Sequence, residues 1–276
     1  MEPKVAAVDV STLQARVYNS LRLALLRGRF VPGEPVSLLG LAEMVGTSAM
    51  PVREAVRRLV TEGALERSSD RVLRVTPVSH AACEELMRLR AHIEGYAAER
   101  AARRVNSRLV SELGRINDRM RATAIELDME SALDANYSFH FALYEAADSP
   151  PLSDIIAALW LRSGPMLAVA RRSPERARAM FLTGVAAHQR IIDAMVDRDV
   201  VAVRRGVAVD LRAASIWMMR HPGRLDESAE AARSSSKEGE ATTDILHEEK
   251  SLGDDPGFRS SGMRRPSDGR DDPHFA

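Results

Sequence analysis

The 276-residue chain carries 45% hydrophobic side chains and equal numbers of acidic and basic ones, 39 of each. That length can hold two domains of roughly 100–150 residues, and few aromatics (4%) with abundant Ala, Leu, Val and Arg favour packed helices over sheets. The zero net charge is uneven, since residues 223–276 hold 13 acidic against 8 basic side chains and the remainder is correspondingly basic.

Cys83, the single cysteine, excludes an internal disulfide or a cysteine metal cluster and reads as a small apolar filler in a reducing compartment. No run reaches the ~18 apolar residues of a membrane span, and the N-terminus MEPKVAAVDV lacks a basic stretch followed by a hydrophobic core. The expectation is a soluble, cytoplasmic protein that makes no membrane contact.

Residues 1–10 read as a flexible N-terminus, and 11–78 as a small domain with helices first and a hairpin last. Ser11 caps a first helix with Leu13, Val17, Leu21, Ala24 and Leu25 at helical spacing, ended by Gly28 and Val31-Pro32-Gly33. A second helix runs from about Leu38 to Val45 and stops at Gly46. A third runs from about Met50 to Glu62, with Pro51 in its first turn, where a missing N–H is harmless, and Gly63 as its stop. Two β-prone pieces, Ala64 to Arg67 and Val72 to Thr76, are joined by the polar turn Ser68-Ser69-Asp70-Arg71.

Residues 79–221 read as a bundle of six helices at about 80–104, 107–127, 131–147, 152–171, 175–197 and 200–220. The breaks fall at Asn106, Asp128, Ser149-Pro150-Pro151, Ser173-Pro174 and Asp197-Arg198-Asp199. Residues 222–276, rich in Ser, Gly, Pro and alternating charge, read as a disordered tail with a short helix near Thr243 to Glu249. The fold class is therefore mainly α, a winged helix-turn-helix followed by a six- to seven-helix antiparallel bundle.

In the third helix Arg53, Arg57 and Arg58 share one side, while Val52, Val56, Leu59 and Val60 take the side facing the core. Guanidinium clamps phosphate or the guanine O6/N7 edge, and a helix fits the major groove. Arg71 and Arg74 on the hairpin suit backbone or minor-groove contact. An arginine triplet alone is equally an ordinary solvated face; the preceding short helix, the Gly46 turn and the basic hairpin weigh towards DNA.

In the bundle, Asn136 and His140 are four residues apart on one helix face, and His188 and Asp210 lie on the two last helices. Two imidazoles, an amide oxygen and a carboxylate suit Zn²⁺, Ni²⁺ or Mn²⁺. Read from the residues alone, single histidines on mixed helices are more often hydrogen-bonded core or surface groups than ligands. A bundle enzyme using the same four residues is a further reading, but no additional His or carboxylate stands beside them as a general base. A winged helix serving only protein interaction is a third.

Val31-Pro32-Gly33, Leu41-Ala42 and Pro51-Val52-Arg53-Glu54-Ala55-Val56-Arg57-Arg58-Leu59 with Glu62-Gly63 resemble the signature of the GntR-type winged helix-turn-helix regulators. Residues 80–220 resemble the FCD ligand-binding domain of the FadR subfamily. The resemblance implies a homodimeric transcriptional regulator, a repressor without enzymatic activity, that reads a short palindrome in double-stranded DNA. Ser48 and Arg53 would touch phosphate or base edges, and Arg57 or Arg58 would add backbone contacts.

It further implies a divalent metal held by Asn136, His140, His188 and Asp210, with Asp210 standing where a third histidine is usual. A carboxylate effector would then lie beside Arg90 of Leu89-Arg90-Ala91-His92-Ile93-Glu94, with Arg162 as a second contact. Arg90 has an alternative in a salt bridge to Glu94, and Arg162 in an exposed helix-end charge. Three departures from the pattern stand out. Ala49-Met50 replace an Arg-Thr pair before Pro51, which shifts base preference; Asp70-Arg71-Val72 replace a Gly-Arg-Gly wing; and the metal set contains Asp210.

Overall fold

The computed structural model describes residues 13–68 and 71–220, all within one compact unit. The expectations for the flexible N-terminus, the Ser11 cap, Ser69 and Asp70 of the turn, the tail and the Thr243 to Glu249 helix lie outside the described residues. Helix α1 (Leu13–Leu26) buries Val17, Tyr18, Leu21 and Leu25 and ends at Gly28, whose φ of 66° a side chain would strain. Helix α2 (Leu38–Val45) starts where the Ser37 side chain accepts from Gly40 N and stops at Gly46 with φ 67°. Helix α3 (Ala49–Thr61) buries Val52, Ala55, Val56 and Leu59 against α1 and α2, so its apolar stripe orients the arginines outward.

Strands β1 (Leu65–Arg67) and β2 (Leu73–Val75) pair antiparallel with Leu65 opposite Val75 and Arg67 opposite Leu73. Gly33 N and Val36 N donate to Val75 O and Leu73 O, and Val75 N donates to Glu34 O, so the Pro32-Gly33 segment forms the hairpin's third edge. At the wing, Arg71 has φ 63°, a left-handed backbone costing a non-glycine residue about 1–2 kcal/mol. Ser68 N to Val72 O closes the loop around it.

The bundle follows in chain order. Helix α4 (His80–Ala102) is capped by Ser79, α5 (Ser107–Ile125) by Asn106 and α6 (Met129–Glu145) by Asp128, each side chain accepting a first-turn N–H. Helix α7 (Pro150–Leu167) continues as a 3₁₀ turn (Ala168–Arg172), then come α8 (Pro174–Val196) and α9 (Val200–Arg220). The expected helix at 152–171 thus changes character at its end. Pro165 lies inside it, lacks an N–H and crowds the preceding turn, and the chain tightens to 3₁₀ within one turn.

Helix α9 packs between α4 and α8, α5 between α6 and α8, and α7 against α4 and α1. No run of ~18 apolar residues was expected, yet the 150–172 segment is long enough, and by mean hydropathy apolar enough, to cross a membrane. It is apolar because it is central: 61% of that window is buried, with Ile156, Trp160 and Leu161 in the core.

Candidate functional site

On the outer side of α3 the three arginines have different freedom. Arg57 pairs with Glu54 at 2.9 Å. Arg58 donates from Nε to Glu62 at 3.0 Å and lies 3.7 Å over the Tyr18 ring, while Tyr18 donates to the same carboxylate at 2.7 Å. Burial and then the Glu62 hydrogen bond push the Tyr18 phenol up to about 12, so it stays a donor. Arg58 is therefore held by Glu62 and the Tyr18 ring while its side chain stays exposed. Arg53 is exposed and makes no ion pair or hydrogen bond among the described residues.

Ser48 caps α3 by position but its hydroxyl accepts from no backbone amide; Ala49 is half-buried beside it, and Met50 stands 71% exposed. Arg71 is exposed at the wing, whereas Arg74 is half-buried on β2 opposite Glu66. Arg162 does not face the bundle interior. Its guanidinium lies 3.8 Å from where a side chain on Gly63 would begin, so it packs against the end of α3 and away from the site expected for it.

Inside the bundle, three helices bring His140, His188 and Asp210 together. His140 Nε2 lies 3.2 Å from Asp210 Oδ2 and 3.4 Å from His188 Nε2, and His188 Nε2 lies 3.8 Å from Asp210 Oδ2. All three side chains are buried. Ligand atoms about 2.0–2.1 Å from a tetrahedral ion are separated by roughly 3.4 Å, so the spacing fits such an ion. Asn136, half-buried, lines the same cavity of about 410 Å³, as do Arg90, Trp160 and Trp217.

A hydrogen-bond chain behind His140 sets its tautomer. The buried Glu94 carboxylate accepts from Arg90 Nε (2.6 Å), Arg90 Nη2 (3.3 Å), Trp160 Nε1 (3.1 Å) and Tyr144 OH (2.7 Å). Tyr144 has one proton and gives it to Glu94, so at 2.9 Å it accepts from His140 Nδ1–H. That turns His140 Nε2 towards His188 and Asp210, the orienting arrangement found behind metal-bound histidines. Burial and the Glu94 charge keep the Tyr144 hydroxyl protonated far above its ordinary range.

The His188 ring is stacked on Phe139 at 3.8 Å and 4°, and its Nδ1 is buried without a partner among the described residues. Burial would push the Asp210 carboxyl up, but the two imidazoles outweigh it and hold Asp210 ionised. Burial likewise holds the His188 imidazole below its usual value despite Asp210. Unfolded His188 takes up a proton near pH 6.5 that the buried ring refuses. Metal-free protein is therefore expected to lose stability as the pH falls through about 6.5 and below; urea midpoints at pH 7.5 and 5.5 that coincide would contradict this.

Arg90 lines the cavity yet its charge is matched by Glu94, with Ser163 Oγ (3.0 Å) and the Trp160 face (4.2 Å) completing its surroundings. Arg90 thus takes the salt bridge to Glu94 while lining the cavity. Sequence reasoning missed Tyr144 and Trp160 and gave Glu94 only as a partner of Arg90; Tyr144, four residues after His140, and Glu94, four after Arg90, left periodic traces. Cys83 is buried and its thiol is pushed up to about 11 by desolvation, as a filler would be.

Residues 85–213 match the FCD domain, and residues 13–75 match the bacterial regulatory proteins of the gntR family. The Escherichia coli HTH-type transcriptional regulator McbR is 31% identical over 156 residues, spanning 56% of this chain and 71% of McbR. The chain belongs to the GntR family. Within that family, the solved structure of E. coli McbR/YncC superposes with a TM-score of 0.69 at 26% identity, over 76% of this chain and 98% of that one. A GntR regulator structure from Rhodococcus sp. RHA1 shares the fold, with a TM-score of 0.58 at 20% identity over 75% of this chain and 97% of that one. A probable D-xylose utilization operon repressor of Paenarthrobacter nicotinovorans is 28% identical over 58% of this chain and 70% of its own length. The GntR and FCD matches make the chain a transcriptional regulator and remove the bundle-enzyme reading.

Proposed function

We propose that this GntR regulator is a homodimeric repressor that holds a short palindromic operator through α3 and the wing, and releases it when an organic acid enters the bundle beside a divalent metal. The observation that carries the reading is the convergence of His140, His188 and Asp210 at the wall of a cavity lined by His140 and Asp210, with His140 oriented by Tyr144 and Glu94. Asn136, His140, His188 and Asp210 would hold the ion. A bound Zn²⁺, Ni²⁺ or Mn²⁺ supplies a Lewis-acidic point for a carboxylate oxygen. Asp210 gives the set one negative charge, which suits a cation that keeps net positive charge for an anionic ligand. Metal analysis of purified protein, followed by a thermal-shift screen of organic acids with and without chelator, tests it; no metal and no acid response would end this reading.

A route from cavity to DNA runs through α6 and α7. The cavity-lining Trp160 meets Tyr137 edge-on at 5.9 Å, and Arg27 lies over the Tyr137 ring at 5.5 Å. On the helix that carries His140, Asp134 accepts from Arg29 at 3.0 Å and Glu130 pairs with the same arginine. A ligand that shifts α6 or Trp160 thereby bears on the end of α1. Differential affinity for two such arrangements is what would move operator binding.

Arg53, exposed and unpaired, would contribute the clearest DNA contact, with Ser48, Arg57, Arg58 and Arg71 grouped around it. Arg53→Ala is expected to weaken operator binding and lower the slope of log affinity against log salt by about one per protomer. An unaltered slope in a fluorescence-anisotropy series would remove Arg53 from the interface. Exposed Met50 suits apolar contact with a thymine methyl, while Ala49 supplies no hydrogen bond to a base. Ala49→Arg is expected to shift operator preference towards guanine at one position per half-site, and identical selection from a randomised DNA pool would refute that.

A further inference from the structure

Apart from its polar cluster, the ligand cavity is built from flexible apolar side chains. Met87, Met120, Met180 and Met218 line it together with Trp160 and Trp217. Its polar groups gather around His140: Asp210 at 3.2 Å, Asn136 one turn earlier on α6, and Arg90 reached through Glu94 and Tyr144. The other polar lining residues, Thr183 and Arg220, are exposed, and Thr183 already donates to Ala179 O at 2.9 Å.

Charge narrows the ligand further. Glu94 matches Arg90 through two hydrogen bonds, so neither is left to bind a second anion. Asp210 remains, and a divalent cation on it leaves one positive charge at the inner end. One carboxylate neutralises that. A second carboxylate, or a row of hydroxyls, on a small ligand held at His140 would face thioethers and indole rings, at a penalty for each buried unsatisfied group, because the further polar lining residues Thr183 and Arg220 are on the exposed side. Methionine walls instead repack around alkyl or aromatic bodies of varied shape, and about 410 Å³ lies in the size range of small-molecule sites.

We infer that the effector is an amphipathic monocarboxylate, with one anionic head at His140, His188 and Asp210 and an apolar body along the methionine and tryptophan wall. The inference rests on the reading of the bundle as the effector domain. It goes beyond that reading by excluding small dicarboxylates and sugar acids.

The chain contains two tryptophans, Trp160 and Trp217, and both line this cavity, so intrinsic fluorescence reports ligand entry without DNA. Full-length protein, loaded with ZnCl₂ and in parallel treated with EDTA, would be titrated with butanoate, hexanoate, octanoate, octanol and malate. In the loaded protein each added methylene is expected to tighten binding about fourfold, so octanoate binds roughly 200-fold tighter than butanoate. Octanoate should exceed octanol at least tenfold, and malate should leave the fluorescence unchanged. Met180→Glu, which places a charge on the half-buried wall, should weaken octanoate at least tenfold and be accompanied by an unchanged far-UV spectrum.

Affinity independent of chain length, octanol equal to octanoate, or malate binding as tightly as octanoate would each overturn the inference. Operator release is scored separately by gel shift. Octanoate that binds with the expected length dependence but leaves the operator bound keeps the ligand class and removes the regulatory reading. Release by malate without any response to octanoate does the reverse.

Discussion

Replacing Glu94 by leucine is expected to destabilise the protein by about 3–5 kcal/mol, the usual result of removing one partner from a buried ion pair. Glu94 and Arg90 are 0% and 1% exposed, and four donor groups converge on the one carboxylate. Leucine fills much of the volume but leaves the guanidinium without a counter-charge and frees the Tyr144 hydroxyl and the Trp160 N–H. The effect belongs to the orphaned charge more than to the lost pair, so Arg90→Met combined with Glu94→Leu should recover much of the loss. Urea denaturation of both variants checks this. A single variant within 1 kcal/mol of wild type, or a double variant worse than the single, would show that Arg90 finds another partner.

The same substitution should loosen metal binding by about 10–100-fold, because Tyr144 no longer has an acceptor that fixes its proton and the His140 tautomer is released. That readout separates an orienting role from a merely structural one.

Gly164→Ala is the second large effect expected. A Cβ there would sit 2.7 Å from Leu25 O and 2.8 Å from Leu26 O, both backbone atoms at the end of α1, so no rotamer change relieves it. Helix α7 and the end of α1 must separate. Gly28 faces Gly164 from the other side: its own Cβ would lie 3.2 Å from Gly164 O. Overpacking of this kind typically costs about 1–3 kcal/mol, and here it displaces the element that joins the winged helix to the cavity-bearing α7. A lowered Tm together with altered operator affinity is expected, with Gly114→Ala as a control because open space surrounds it. Wild-type Tm and operator affinity in Gly164→Ala would mean that the α1–α7 contact yields freely and transmits nothing.

Much of this was legible in the chain itself. The Val52, Val56 and Leu59 stripe, Pro51 near the start of α3, the Gly46 and Gly63 stops and the breaks at Asn106 and Asp128 are local signals, read over a turn or two of helix, and they determined the helix-turn-helix, its outward arginines and the succession of bundle helices. The i, i+4 spacing likewise put Asn136 with His140 and Arg90 with Glu94. Tertiary structure decided which of these pairs are buried and what each meets across the bundle. Arg162 went to the end of α3 and away from the cavity, Arg58 was tied to Tyr18 and Glu62, and the 150–172 helix gave way to a 3₁₀ turn beyond Pro165. His140, His188 and Asp210 meet because α6, α8 and α9 are rotated about their axes to bring three single residues to one point. Helical periodicity fixes which residues share a face, but that rotation follows from side-chain packing between helices distant in the chain, which no local pattern encodes.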